Sequence, residues 1–143
     1  ARKHLIKQQL SNQGKNLSES TIAVLGVSFK ANTGDCRFTP TKPIIEKLVS
    51  SRCNLRICDP WISVNDSTEI INFPLTETIE DCISNADCVA FFTGHDEFTA
   101  FPLEKVASNC NDNAIIIDGR GIFDKDQIRK IKSLGLNYKG IGR

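Results

Sequence analysis

Along this chain, short apolar runs alternate with longer stretches in which apolar residues recur every three or four positions. The runs are Thr21–Leu25, Asn54–Cys58, 88–93, 114–117 and 136–141, and the first, third and fourth carry almost no polar alternation. Such runs predict strands buried on both faces, and their length excludes helices. Between them lie helical periods. Residues 2–13 place Leu5, Ile6, Gln9 and Leu10 on one stripe before Gly14; residues 42–49 do the same with Ile44, Ile45, Leu48 and Val49. Further on, 77–85 aligns Ile79, Cys82 and Ile83, with Ala86 following, and 102–108 is a short helix entered at a proline. Asp124-x-x-Gln127 has the form of a capping box, and the period then runs through Ile128 and Ile131 to Leu134 before Gly135. Glu69 to Phe73 is a candidate minor strand within an irregular stretch. Strand and helix alternating at this rhythm predict β-α-β units: an α/β fold, a three-layer Rossmann-like open parallel sheet with helices on both faces.

Size and charge narrow the function. With 143 residues and 40% apolar content the chain supports one domain with a real core. Eighteen basic side chains nearly cancel 17 acidic ones, so nothing favours nucleic acid or an anionic membrane as partner. No apolar run approaches a membrane span and no secretion signal is visible, which reads as a cytoplasmic protein. The chain has no methionine and opens inside a helical pattern, so it reads as a piece of something longer, with its first helix packing on a part not present. Its six cysteines lack C-x-x-C spacing and its two histidines lack zinc-ligand spacing, so no metal site is expected and the cysteines read as small buried thiols.

In an open parallel sheet, ligands bind beyond the carboxyl ends of the strands. Three predicted loops reach that edge, at 26–35, 93–98 and 118–121. The first carries Phe29 and Lys30, an apolar face and a mobile cation suited to a nucleotide; equally, Phe29 can be core and Lys30 a solvated lysine. The last carries Arg120 between Gly119 and Gly121, a setting for a bidentate phosphate contact; the other reading is a surface pair with Asp118. Asp59, before Pro60, reads as the start of a turn, because the preceding loop lacks the G-x-G-x-x-G that a ribose-binding acid would accompany. His95 has no nucleophile beside it, and reads as a loop residue that caps or lines a pocket.

These residues together resemble a known family. The order Gly26-x-x-Phe29-Lys30-x-x-Thr33-Gly34-Asp35-x-Arg37-x-x-Pro40, then Asp59-Pro60, Ala86-Asp87, Thr93-x-His95-x-Glu97-Phe98, Asp118-Gly119-Arg120 and Gly140-Ile141-Gly142-Arg143 is similar to the C-terminal domain of the UDP-glucose/GDP-mannose dehydrogenase family. The likeness runs from about residue 20 to the end, with Phe38 and Thr39 standing where the family commonly has glutamate and serine. It implies that residues 1–18 end a connection from a missing central domain and that 19–143 form the UDP-sugar-binding domain. It also implies that NAD is held by a missing N-terminal domain, that the full-length enzyme is a homodimer oxidising the C6 alcohol of a nucleotide sugar to a carboxylate, and that this chain alone is inactive. Phe29 and Lys30 would contact the nucleotide and Arg120 the sugar-diphosphate portion, while Asp35, Arg37 and Asp118 shape the loops. The family's catalytic cysteine lies in a glycine-rich context that none of these six shares, so no catalytic residue is nominated.

Two other readings stay in competition. One is a stand-alone nucleotide-binding regulatory module, such as a phospho-receiver; its metal-holding acidic pair would fall where this chain has Gly26-Val27-Ser28. The other is that the domain itself binds the dinucleotide.

Overall fold

The computed structural model describes residues 2–141; Gly142 and Arg143 of the closing sequence pattern lie outside them. All five apolar runs form strands: β1 (Thr21–Leu25), β2 (Asn54–Cys58), β3 (Cys88–Phe91), β4 (Ile115–Asp118) and β5 (Asn137–Gly140). They pair in the order β2-β1-β3-β4-β5, every pair parallel. Because side chains alternate across a strand, the sheet feeds two cores. Ile22, Val24, Cys88, Ala90, Ile115 and Ile117 face one layer, and Ala23, Leu25, Val89, Phe91 and Ile116 the other.

Helices α1 (Arg2–Asn12) and α2 (Thr41–Ser50) cover the first face. The expected docking of the first helix on an absent part is not what the structure shows: Ile6 and Leu10 are fully buried against this chain's own sheet. Burying side chains of that size stabilises by about 1.5–3 kcal/mol each, which is reason enough for the helix to stay. In α2, Ile44, Ile45 and Leu48 are buried, but Val49 lies off the stripe and is half-exposed. The second face is covered by α4 (Ile79–Ile83), by Phe98 from the short α5 (Asp96–Thr99), and by α6 (Leu103–Asn109) and α7 (Lys125–Ser133). The capping box at Asp124 and Gln127 forms in both directions.

The candidate strand at Glu69 to Phe73 is not one. A helical turn, α3 (Val64–Asp66), runs into a wider turn at Ser67–Ile71, closed by Asn72 in the left-handed region. Ile71 still reaches the core, so its burial produced an apolar signal without a strand partner. Cys36, Cys58, Cys82, Cys88 and Cys110 are free thiols. Burial pushes Cys58 and Cys110 up to about 12 and Cys82 and Cys88 higher still, which keeps these thiols protonated and unreactive. No helix among the described residues is long and apolar enough to cross a membrane.

Candidate functional site

The sheet changes direction of growth between β1 and β3, with β2 on one side and β4 on the other, so the loops after β1 and β3 leave side by side at the switch point where ligands of such sheets bind. Gly26 makes the first turn out of β1. Its φ is +97°, and a Cβ there would stand 2.5 Å from Thr93 Cβ, so only glycine lets the two loops touch. Thr93 Oγ1 then donates to the Ser28 carbonyl at 2.9 Å, fastening the contact.

Beyond this point Phe29, Lys30 and Ala31 from the first loop, Thr93 and Gly94 from the second, and Arg120 and Ile122 from the loop after β4 line one cleft of about 360 Å³. Phe29 is 45% exposed, which sets aside its reading as core. The Arg120 guanidinium does not pair with Asp118. Its Nε donates to the Phe92 carbonyl at 3.0 Å and Nη2 to the Phe29 carbonyl at 3.2 Å. Two of its five N–H donors are used on neutral partners, so the charge is anchored without being neutralised. Lys30 and Arg120 give this cleft two cations, and no carboxylate lines it. A roomier depression of about 510 Å³ beside β2 has the opposite chemistry: Ile62, Val64 and Leu75 line it with Asp59 and Glu77, and no cation. An anionic ligand belongs in the smaller one.

The residues expected to shape loops make different kinds of contact. Asp118, fully buried at the end of β4, accepts the backbone N–H groups of Arg120 and Ile122 on Oδ1, and that of Phe123 together with the Tyr138 hydroxyl on Oδ2. The turn that presents Arg120 is therefore built around a carboxylate rather than by the glycines alone. Asp35 and Arg37 form an exposed pair, with Arg37 Nε 3.3 Å from Asp35 Oδ1, and these hydrogen bonds hold the Asp35 carboxyl below its ordinary value. The Asp35 carbonyl accepts the Phe29 N–H at 2.7 Å and so closes the loop. At Gly34 a Cβ would lie 2.3 Å from the Trp61 carbonyl, where the segment after β2 packs on this loop.

Two residues were read too modestly from sequence. Asp59 does start a turn, accepting the Trp61 N–H at 3.0 Å, but its carboxylate is buried and does more. Oδ2 accepts the Val27 N–H, the Ser28 N–H and the Ser28 hydroxyl at 2.8, 3.0 and 2.8 Å. His95 neither lines the cleft nor caps with its side chain: the imidazole is fully buried, with Nε2 2.9 Å from Asp59 Oδ1 and Nδ1 accepting the Asn32 N–H at 2.8 Å. Burial alone would raise the Asp59 carboxyl; the hydrogen bonds from His95, Val27 and Ser28 outweigh it and hold the group below its ordinary value. The signal for both was position, since they lie just beyond the two strands that flank β1.

The model of the UDP-glucose/GDP-mannose dehydrogenase family, UDP binding domain, matches residues 23–125. The UDP-glucose 6-dehydrogenase YwqF of Bacillus subtilis is 30% identical over 141 residues, covering 97% of this chain and 31% of that protein. The UDP-N-acetyl-D-mannosamine dehydrogenase of Pyrococcus horikoshii is 29% identical over 140 residues, covering 97% and 29%. Among solved structures, the NDP-N-acetyl-D-galactosaminuronic acid dehydrogenase of Methanosarcina mazei superposes with a TM-score of 0.82 at 26% identity, over 98% of this chain and 28% of that one. The chain thus spans a little under a third of the length of these relatives. With a matched stretch that runs from within β1 through β2, β3 and β4 and takes in the residues lining the cleft, the chain belongs to the UDP-glucose/GDP-mannose dehydrogenase family.

Proposed function

We propose that this chain is the nucleotide-sugar-binding domain, C-terminal in its full-length protein, of an NAD-dependent UDP-sugar 6-dehydrogenase, and that its cationic cleft takes the UDP portion of the substrate. The observation that carries this is the convergence of Lys30 and Arg120, 90 positions apart in the sequence, on a carboxylate-free crevice at the switch point of the sheet. A diphosphate needs such a pair: one mobile ammonium and one guanidinium anchored on carbonyls. Phe29 offers its ring to the base or ribose, and Arg120 faces the sugar-diphosphate end. Residues 1–18 are read as the end of a connection to a central, dimer-forming domain, and the whole protein as cytoplasmic.

The nicotinamide cofactor does not fit these residues. After β1 the chain has Gly26-Val27-Ser28-Phe29 in place of a glycine fingerprint, and the acid at the end of β2, Asp59, is fully engaged by internal donors and has no lone pair to spare for a ribose. We therefore assign NAD, and the oxidation itself, to other parts of the full-length protein. Calorimetric titration of UDP into the chain tests the reading. Lys30→Ala and Arg120→Ala should each weaken binding by about 1.5–3 kcal/mol, the value of one charge-assisted contact. Equal affinity in all three proteins would remove the site assignment. Fluorescence enhancement of NADH by the chain, without UDP binding, would exchange the proposed ligand for the dinucleotide.

A further inference from the structure

We infer that Asp59 and His95, neither of which lines the cleft, are the positioning residues of the nucleotide site: together they stake both ends of the loop that carries Phe29 and Lys30. The inference rests on the reading of the cleft given above. At the near end of the loop, the Val27 and Ser28 N–H groups are held by Asp59 Oδ2. Toward its far end the Asn32 N–H is held by His95 Nδ1, and the Asn32 side-chain oxygen accepts the Asp96 N–H at 3.0 Å. Asp59 Oδ1 and His95 Nε2 lie 2.9 Å apart, so the two stakes are one buried unit. Phe29 and Lys30 lie between the stakes with their side chains exposed.

The chemistry fixes how the unit works. A carboxylate beside Nε2 demands the proton on that nitrogen, and an N–H pointing at Nδ1 demands that Nδ1 be bare. The imidazole is therefore the Nε2–H tautomer, its proton on the side of Asp59 Oδ1 and its bare Nδ1 the acceptor from the loop. Trp61 stacks over it with ring centroids 6.0 Å apart, and Phe98 closes another side at 5.4 Å, so the ring has little room to turn. Asn32 is itself in the left-handed region, at φ 58°, which asparagine tolerates and which its hydrogen bonds to His95 and Asp96 hold in place. Without the histidine acceptor, the residues around Phe29 and Lys30 would have to be ordered by the ligand, and each residue so ordered weakens binding about tenfold.

The test uses two amides that each copy one nitrogen. In His95→Asn the side-chain oxygen falls near the place of Nδ1 and can still accept from Asn32. In His95→Gln the amide reaches the place of Nε2 and can still donate to Asp59, but the Asn32 N–H loses its acceptor. With UDP as the probe, His95→Gln and His95→Ala should bind about tenfold or more weakly than wild type, and His95→Asn within about threefold of it. Amide hydrogen exchange at Asn32 should be protected in wild type and in His95→Asn before ligand is added, and fast in His95→Gln. Equal affinities for the Asn and Gln variants, or losses that simply follow their melting temperatures, would reduce His95 to a structural residue and overturn the inference. Fast exchange at Asn32 in the unliganded wild type would overturn it without any variant. Failure of wild type to bind UDP at all strikes the reading of the cleft instead, because the exchange measurement needs no ligand.

Discussion

Replacing Asp59 by asparagine changes one atom of a buried carboxylate that ties two segments together. The carboxylate accepts Val27 N–H, Ser28 N–H and the Ser28 hydroxyl on Oδ2 and Trp61 N–H on Oδ1, and Oδ1 also lies 2.9 Å from His95 Nε2. An amide keeps only one oxygen. Its better orientation places that oxygen on the three-donor side and turns its NH2 toward Trp61 N–H and His95 Nε2, donor against donor. One hydrogen bond to a charged acceptor, about 1.5–3 kcal/mol, is lost together with the close approach of His95. Removing a buried charge returns part of this, so the net loss should be about 1–3 kcal/mol at pH 7.

Urea unfolding followed through Trp61, the sole tryptophan, measures it, and the pH dependence gives the sign. The folded Asp59 carboxyl lies below its unfolded value, so its contribution is complete above the unfolded value of about 3.9 and is lost as pH falls through the lower folded one. The gap between wild type and Asp59→Asn should accordingly narrow as the pH is taken from about 5 toward 2. Asp87 is also held below its ordinary value: burial opposes this, but Asn111, the Thr21 N–H and Lys15 outweigh it, so both proteins keep some acid sensitivity. A difference under about 0.5 kcal/mol at pH 7, or a gap that widens in acid, would refute the account of the buried carboxylate.

Two backbone predictions have opposite signs. Gly26→Ala should lose about 3 kcal/mol or more and most UDP affinity, because the new methyl meets Thr93 at 2.5 Å in a conformation L-residues avoid; thermal unfolding checks it, and a loss under about 1 kcal/mol would contradict the close approach of the two loops. Phe38→Asn should gain about 1 kcal/mol, because Phe38 is 99% exposed at φ 56° and contributes strain without burial, and asparagine tolerates that region. Unchanged or lower stability in chemical denaturation would show that the ring makes contacts that its exposure denies.

Sequence and structure divided the work along a physical line. Period and run length are local properties, and they determined the five strands, the buried stripe of α2 apart from Val49, the capping box at Asp124 and Gln127, and the layered α/β class. They also placed Phe29, Lys30 and Arg120 at strand ends, because a parallel sheet sends every carboxyl end to the same edge. Where one signal had two causes, the local reading failed: Ile70 and Ile71 look like a strand, but they pair with none and wind into a turn that still buries Ile71. The first helix looks unpartnered in the sequence because its partner, the face of β4 and α2, is more than thirty residues away.

Only the tertiary structure decided the roles of Asp59 and His95. Each is one polar residue in a loop, and a carboxylate that only starts a turn has the same letters around it as one that accepts four hydrogen bonds. Their burial, and the 2.9 Å that joins them, arise from strand order: β2 and β3 flank β1, so the loops that leave them meet beneath the loop that β1 feeds. Strand order is set by which faces pack best over the whole domain, a sum over distant contacts that no window of sequence contains.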